Sequence, residues 1–236
     1  MAVALASRLC YSPIGIAELE ESWTEEKAGT LIDKIMALGH FSVLEHAVFT
    51  FGIEGISRAT SHQLVRHRLA SYSQQSQRYV KADQAFEHVL PPSIEEKPAL
   101  RKRFEKHLQE VGRLYSDLAG AGIPPEDARF VLPNAAATKI IVTMNARELR
   151  HFFRLRCCQR AQWEIRGMAE LMLGLVRKAA PRLFVKSGPG CVGGRCPEGK
   201  MACGRVKDVR KAYRQWSAEL ERPLISADAV GEGGAE

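Results

Sequence analysis

Apolar residues recur at helical spacing over much of this chain, and shorter stretches between them have the composition of strands. The spacing predicts helices over residues 25–38, 93–119 and 162–180, together with one that begins at residue 146. Gly39 follows the first window, where a glycine is typical of a helix end. The pattern therefore indicates a helix-rich globular protein.

Strand composition marks residues 47–56 and 138–144, which are rich in β-branched and aromatic side chains. Between them, residues 57–68 are predicted to form a helix that ends on the triplet Arg-His-Arg, where the helix dipole favours cations. Tyr79 and Val80 then predict a return to extended chain. The elements therefore mix helix with a small amount of sheet.

Polar residues at fixed spacing predict where several helices begin. Ser93 and Glu96 have the spacing of a capping box, and Asn145 with Glu148 has the spacing of an N-cap and its acidic partner. Two prolines before Arg129 predict a short helix that carries this arginine. The apolar stripe of the helix over residues 162–180, predicted to be core or a subunit interface, consists of Ile165, Ala169, Met172, Leu173 and Val176.

Residues 66–78, RHRLASYSQQSQR, form the most unusual polar stretch, which we name the arginine segment. It carries three Arg, one His, three Ser and three Gln, with no acidic residue. Clustered guanidiniums repel one another, and they favour planar or bidentate partners such as phosphate or an imide edge. The regular alternation of Arg with Ser and Gln favours a ligand site over a solvated basic loop.

Composition limits the class of protein and its partners. Of the 236 residues, 45% are hydrophobic and 26% are charged, as in an ordinary soluble globule. The net charge of +7 favours anionic partners, whether nucleotides, nucleic acid or acidic lipid. No apolar run is long enough to cross a membrane, and the first ten residues do not resemble a signal peptide. A cytoplasmic protein is expected.

Two other motifs are weaker. Gly188, Gly190 and Gly193 satisfy G-x-G-x-x-G, but no strand precedes them and no helix opens inside them, which excludes a dinucleotide-binding fingerprint. Cys191, Cys196 and Cys203 stand at C-x4-C-x6-C, which is not a familiar zinc spacing. Free thiols in a mobile tail are therefore predicted, while a metal site would need a fourth ligand such as Cys157, Cys158 or a residue of another subunit.

Several sequence blocks, in order, resemble those of flavin-dependent thymidylate synthases. The arginine segment matches the signature RHRxxSxxxxSxR of that family. GHFSVLEHAVFTF, DARFVLP, VTMNARELRHFF and LRCCQRAQWEIR are similar to its other blocks, and the likeness covers roughly residues 25–185. Two departures are Ser73, where many members have Asn, and Gln74, where some have Glu.

The resemblance implies an α/β fold of the α+β type, in which a central, mostly antiparallel sheet is flanked by long helices. It further implies a homotetramer whose active sites lie where subunits meet. The catalytic domain is expected over residues 1–186, followed by a Gly- and Cys-rich extension over residues 187–236 with one short helix near residues 207–220. The end of this extension is expected to be disordered.

The activity implied by the resemblance is reductive methylation of dUMP to dTMP. Methylene-tetrahydrofolate would supply the carbon, FAD would carry the hydride and NADPH would reduce the flavin. Arg156 corresponds to the residue that favours ionisation of the uracil imide. Ser76 is expected to form hydrogen bonds, because no adjacent general base marks it as a nucleophile.

The resemblance also implies two sets of binding residues. Flavin contacts are expected at Ser42 of a neighbouring chain, Arg66, His67, Arg68, Gln74, Asn145, Ala146, Arg147 and His151. Contacts with dUMP are expected at Gln63, Leu64, Val65, Arg66, Gln74, Gln75, Ser76, Gln77, Arg78, Arg129 and Arg156. No metal ligand belongs to either set.

A basic module that binds RNA or DNA is the alternative from another class. It would use the same arginines on phosphates, with steep salt dependence, and the protein would be colourless. The resemblance favours the enzyme, so neither nucleic acid nor a membrane is expected as a partner.

Overall fold

A computed structural model of the chain describes residues 1–80 and 86–218. The helices, in chain order, are α1 (Ala2–Leu9), α2 (Ile16–Ser22), α3 (Glu25–Leu38), α4 (Arg58–Leu64), α5 (Pro92–Glu95), α6 (Pro98–Gly120), α7 (Pro125–Ala128), α8 (Ala146–Arg156), α9 (Trp163–Ala179), α10 (Pro181–Phe184) and α11 (Val206–Ala218). Turns of 3₁₀ helix lie at Phe41–His46, Arg129–Val131 and Gly199–Met201.

Three described strands, β1 (Val48–Ser57), β2 (Ala70–Gln74) and β3 (Ala137–Asn145), form a small antiparallel sheet in the order β1-β3-β2. This combination of helices with a small antiparallel sheet confirms the predicted α+β class. Within residues 1–80 and 86–218, no helix combines the length and the apolar character that a membrane span needs.

The chain forms two compact units. Unit 1 consists of residues 1–49 and 143 onward, and unit 2 consists of residues 50–142. Most of each strand belongs to unit 2. The predicted division at residues 186 and 187 concerns the family's catalytic domain rather than these units, and it stays a prediction.

The core of unit 1 lies between α8 and α9. Leu149, Phe152 and Phe153 of α8 are fully buried, and the Phe153 ring contacts the rings of Phe152 and Phe184 at centroid distances of 5.7 and 6.1 Å. The stripe predicted on α9 is buried along its whole length, which confirms it as core. Helix α8 begins as predicted, because the Asn145 side chain accepts a hydrogen bond from the Glu148 amide at 2.9 Å.

Helix α11 completes unit 1 by covering a buried arginine. The Arg177 guanidinium lies 4.3 Å from the ring centroid of Trp216 and 5.8 Å from that of Tyr213. Arg177 also donates to the carbonyl oxygens of Phe184 and Ser187, at 3.3 and 2.7 Å. The side chain is only 2% exposed, so α11 shields a charge as well as apolar surface.

In unit 2, the long helix α6 packs against α5, α7 and the 3₁₀ turn that follows α7. Leu108, Val111 and Tyr115 form its buried face, and its remaining residues are largely charged and exposed. Helix α7 confirms the short helix expected there after two prolines. It ends at Ala128, however, so Arg129 begins the following 3₁₀ turn instead of lying in the helix.

Four other local predictions were wrong. The helix expected over residues 93–119 is interrupted, because Pro98 restricts Lys97 to non-helical angles and starts a new helix. Ser93 therefore lies inside α5 and Glu96 ends it, so the two form no capping box. Tyr79 and Val80 lie in a turn closed by a bond from the Val80 amide to the Ser76 carbonyl, 3.0 Å, instead of extended chain.

The fourth error concerns α4, which ends at Leu64, before the Arg-His-Arg triplet that it was expected to carry. The Tyr72 hydroxyl donates to the carbonyl oxygens of Leu64 and His67, at 2.9 and 2.8 Å. Those bonds stabilise a turn in place of a further helical turn. The last predicted helix is confirmed as α11, while residues 219 and 220 and the expected disordered end lie outside the described residues.

Candidate functional site

The arginine segment is a turn followed by strand β2. Along this strand Tyr72 and Gln74 are half-buried, whereas Ser71 and Ser73 are exposed. This period of two places Tyr72 and Gln74 inward and the two serines outward. The strand contains no large aliphatic residue, so its alternation is hard to detect in the sequence. The sequence prediction missed this strand.

Gln74 fixes the segment to its neighbours. Its amide nitrogen donates to the hydroxyl oxygens of Ser61 in α4, at 2.9 Å, and Thr138 in β3, at 3.1 Å. Both hydroxyl residues are buried. One amide therefore links three elements of unit 2, and Gln74 has a structural role in addition to the ligand contact expected of it.

The triplet at the start of the segment divides by exposure. Arg66 and Arg68 are exposed, and among the described residues no carboxylate forms an ion pair with either of them. The His67 side chain is 5% exposed, and its carbonyl oxygen accepts the Tyr72 bond. The two guanidiniums are therefore presented outward on a turn whose backbone is held from within.

Arg78 and Arg129, two of the arginines expected to contact dUMP, come together around Glu126. Arg78 forms an ion pair with the Glu126 carboxylate at 2.9 Å, and the Arg129 Nε donates to the Glu126 carbonyl oxygen at 3.1 Å. The Ser76 hydroxyl accepts a bond from the Arg78 amide at 3.1 Å and so shapes the turn before it. Positive charge thus concentrates where an anion is expected.

A third cation of this group was not predicted. Arg58 begins α4, and its pKa is lowered by burial and then by the positive charge of Arg129. A cation in the first turn of a helix is disfavoured by the helix dipole. The sequence contains this signal, because Ser57 is a good N-cap and therefore places Arg58 at the first position of the helix. An arginine at that unfavourable position could have been identified as a candidate functional residue.

The other expected nucleotide contacts of unit 2 differ in what they can offer. Leu64 is fully buried, so only its backbone is available, while Val65 is exposed. The Gln63 amide donates to the Ala59 carbonyl oxygen at 3.3 Å. Gln75 is exposed and its backbone amide donates to the Lys139 carbonyl at 2.9 Å; Gln77 is half-buried in the following turn.

In unit 1, the expected flavin contacts gather at the start of α8. Arg147 forms an exposed ion pair with Glu45 at 2.6 Å, and the 3₁₀ turn that contains Glu45 and exposed Ser42 packs on α8. The amide of buried Ala146 donates to the Ala47 carbonyl at 2.8 Å. The helix start and one cation therefore lie together. Ser42, which is expected to contact the flavin of a neighbouring chain, lies in the turn beside them, and its role stays a prediction.

One turn along α8, His151 is exposed and Glu148 is buried. Burial raises the pKa of Glu148, and the nearby His151 opposes this effect. His151 is therefore near a carboxylate while its ring stays accessible.

Two arginines of α8 have different environments. Arg150, which was not predicted to be special, donates to the Leu183 carbonyl at 2.8 Å and lies 4.8 Å above the Phe41 ring centroid. Arg156 is half-buried at the end of the helix, and burial lowers its pKa. The first is structural, whereas the second lines a cavity.

This cavity has a volume of about 370 Å³ and includes Arg154, Arg156 and Arg160 in its wall. Residues 187–205 form much of the remaining cavity wall, and we name them the cysteine loop. Sequence reasoning did not place this loop beside Arg156. The predicted site residues therefore form two groups, one around the arginine segment and Glu126 in unit 2, the other along α8 in unit 1.

Fold and site together define an α+β protein whose candidate site residues include several exposed guanidinium groups. A family model described as thymidylate synthase complementing protein matches residues 1–182. The chain belongs to this family. The match confirms the resemblance that the arginine segment indicated.

Relatives in the family carry the name flavin-dependent thymidylate synthase. The protein of Geobacter sulfurreducens is 59% identical over 217 residues, which cover 92% of this chain and 94% of the relative. That of Clostridium tetani is 49% identical over 227 residues, with 89% and 91% covered, and that of Nitratidesulfovibrio vulgaris is 49% identical over 215 residues, with 85% and 87% covered.

Proposed function

We propose that this chain synthesises dTMP from dUMP by reductive methylation, with methylene-tetrahydrofolate as carbon donor, FAD as hydride carrier and NADPH as reductant. The names of its relatives support the reaction. The observation that carries the proposal is the arginine segment, whose three arginines are exposed while Tyr72 and Gln74 anchor it through hydrogen bonds.

The phosphate of dUMP binds Arg78 and Arg129. Two guanidiniums that already bracket one carboxylate have the charge and the donors that a phosphate dianion requires. The incoming phosphate takes the place of Glu126 on Arg78. The Ser76 hydroxyl, which shapes this turn, supplies a further hydrogen bond to the nucleotide.

Arg156 lies at the uracil imide. A guanidinium there stabilises the negative charge that develops on the ring and so enriches the ring carbon that accepts the new group. Burial strengthens that interaction, because a half-buried guanidinium is less screened than an exposed one. No thiol is required to attack the ring, and burial raises the pKa of the neighbouring Cys157.

The residues present fit a flavin nucleotide. Exposed Arg66 and Arg68 suit a pyrophosphate, and Arg147 with His151 at the start of α8 adds positive charge and donors. When bound, the flavin supplies hydride transfer, which no side chain can perform. The protein's part is to bind, orient and polarise.

We extend the proposal to a homotetramer in the cytoplasm, with active sites shared between subunits. Three large side chains beside the ligand residues support this: Leu69 is 73% exposed, Tyr79 is 78% exposed and Phe130 is 83% exposed. Apolar surface of this kind is usually covered by a partner or a ligand.

An anaerobic assay with dUMP, methylene-tetrahydrofolate, FAD and NADPH tests the proposal. We expect a yellow protein that forms dTMP only when all four compounds are present. Folded, flavin-loaded protein that forms no dTMP would contradict it. A colourless protein that instead binds RNA or DNA with steep salt dependence would support the alternative.

A further inference from the structure

Four cysteines share the wall of the cavity beside Arg156. Cys191, Cys196 and Cys203 come from the cysteine loop, and Cys158 follows the end of α8. These are the three residues of the C-x4-C-x6-C motif and one of the candidates for a fourth ligand. Cys158 is at least 33 positions away from each of the loop cysteines in the sequence, and the fold has brought them to the same cavity.

The four thiols share the wall of one cavity of about 370 Å³. Cys191 is buried, the other three are half-buried, and all four are free of disulfide bonds. The cavity therefore brings four sulfur atoms to one place in the fold. A cluster of four thiols has the donor number and chemistry of a thiolate metal centre.

The cysteine loop is held in place from both sides. The Gly190 amide donates to the Arg154 carbonyl at 3.2 Å, and Arg160 donates to the Met201 carbonyl at 2.7 Å. Arg210 of α11 donates to the carbonyl oxygens of Cys191 and Gly194, at 2.7 and 2.5 Å. Although free thiols in a mobile tail were predicted, the described part of this loop is anchored to unit 1.

We propose that Cys158, Cys191, Cys196 and Cys203 bind one thiophilic metal centre in this cavity. As the side chains stand, no three His, Cys, Asp or Glu groups of the described residues converge enough to hold an ion. Binding therefore turns the loop thiols inward. The loop has room for that adjustment at Gly193 and Gly194. A Cβ atom added to either glycine would have no neighbouring atom within 4 Å.

The charges around the cavity favour such a centre. Metal binding releases the thiol protons, and four thiolates on one divalent ion leave a net charge of about −2. Arg154, Arg156 and Arg160 line the same cavity together with one carboxylate, Glu198, which pairs with Arg160 at 3.3 Å. The arginines in the wall therefore exceed the carboxylates by two and offset that charge. The arrangement also places the metal centre next to Arg156. The metal content of the protein can nevertheless be measured without assaying enzyme turnover.

The test is metal analysis of untagged, full-length protein purified without oxygen and with a reductant that is not a thiol. We expect about one zinc per chain, or iron with acid-labile sulfide, the two being distinguished by the visible absorption of an iron–sulfur cluster. Reconstitution with Co²⁺ should give the visible absorption of a tetrahedral thiolate site if the centre is a single divalent ion.

Cys191→Ser and Cys196→Ser should each reduce the bound metal at least tenfold, whereas Cys10→Ser should retain it. Cys10 is exposed and does not line the cavity, so it is a matched control. Circular dichroism of each variant shows whether the chain has folded. The proposal is overturned if folded wild-type protein holds no metal after reconstitution with Zn²⁺, or if both serine variants retain it.

This outcome is separable from the proposed enzyme activity. Flavin binding and dTMP formation are measured on the same wild-type preparation. An active protein that holds no metal even after reconstitution with Zn²⁺ would refute the metal centre alone, and a loaded metal centre in an inactive, flavin-free protein would refute the enzyme alone.

Discussion

The arginine segment and helix α8 are both rich in arginine, yet they use it differently. In the arginine segment, Arg66, Arg68 and Arg78 are exposed while Tyr72 and Gln74 make the bonds that hold the backbone. In α8 a guanidinium itself is part of the packing, since Arg150 binds the Leu183 carbonyl and stacks on a ring. Charge density alone therefore does not distinguish binding arginines from structural ones.

What separates the two kinds is the neighbourhood of each guanidinium. A structural arginine is buried against carbonyl oxygens and aromatic faces, whereas a binding arginine is exposed or lines a cavity and is also among the predicted ligand contacts. By this criterion Arg150 and Arg177 are structural, and Arg156 is a binding residue despite lying on the same helix as Arg150. Four substitutions test that division.

The largest effect is expected for Arg156→Ala. Loss of the guanidinium at the uracil imide should lower kcat by about 100- to 1000-fold, as removal of an oxyanion donor does. Flavin absorbance should stay unchanged, because Arg156 is not among the flavin contacts. Steady-state kinetics and the visible spectrum measure the two effects.

Arg154→Ala is the control for that prediction, since Arg154 lies on the same helix and lines the same cavity without being a predicted ligand contact. It should keep kcat within about twofold. Loss of bound flavin from Arg156→Ala would show that the division of roles is wrong.

Arg150→Ala should have the next largest effect, on stability. It removes a charged donor from the Leu183 carbonyl and a stacking partner from Phe41, which should lower the free energy of unfolding by about 2–3 kcal/mol. Denaturant unfolding measures this. Arg147→Ala is the contrast, because its exposed ion pair with Glu45 contributes about 1 kcal/mol or less while its loss should weaken flavin binding.

If Arg147→Ala destabilises the protein as much as Arg150→Ala does, exposure does not separate structural from binding arginines on α8. Equal flavin affinity in the two variants would lead to the same conclusion.

Gln74→Leu probes the neutral side chains of the arginine segment. It leaves the hydroxyls of Ser61 and Thr138 without their amide partner, which should lower the free energy of unfolding by about 1–2 kcal/mol. Gln75→Leu, at an exposed neighbouring position, should change it by less than about 0.5 kcal/mol. Equal unfolding midpoints for the two variants would argue against a structural role for Gln74.

The smallest effect is expected for Glu126→Gln. Removing the carboxylate that pairs with Arg78 frees this guanidinium for phosphate, so the affinity for dUMP should rise about two- to fivefold. Isothermal titration measures it, with the exposed Glu110→Gln on α6 as control. A lower affinity would mean that Glu126 positions Arg78 rather than competing with the nucleotide.

Local patterns were enough to predict much of the fold. The spacing of apolar residues located α3 and α9, and strand composition located β1, each to within a residue or two. Asn145 with Glu148 located the start of α8. Strand β2 was not predictable in the same way, because its inward residues are Tyr and Gln and its bonds reach α4 and β3. Tertiary partners determined that element.

The sequence predicted which residues of a single motif belong to the candidate site. It did not predict which residues of different motifs contact one another. Contacts between distant segments, such as Arg78 with Glu126 or Cys158 with the cysteine loop, leave no trace in spacing. Pro98 is the opposite case, since its effect on α6 is local and could have been predicted from the residue itself.

The position of Arg177 under α11 has a practical consequence for anyone who shortens this chain. The family match ends at residue 182, which invites removal of everything after it. Such a truncation would take away Trp216, Tyr213 and the Ser187 carbonyl together, and would leave the guanidinium against the apolar face of α9. Although the family model ends at residue 182, residues beyond it cover this buried charge, so we expect the shortened chain to be less stable than the full one.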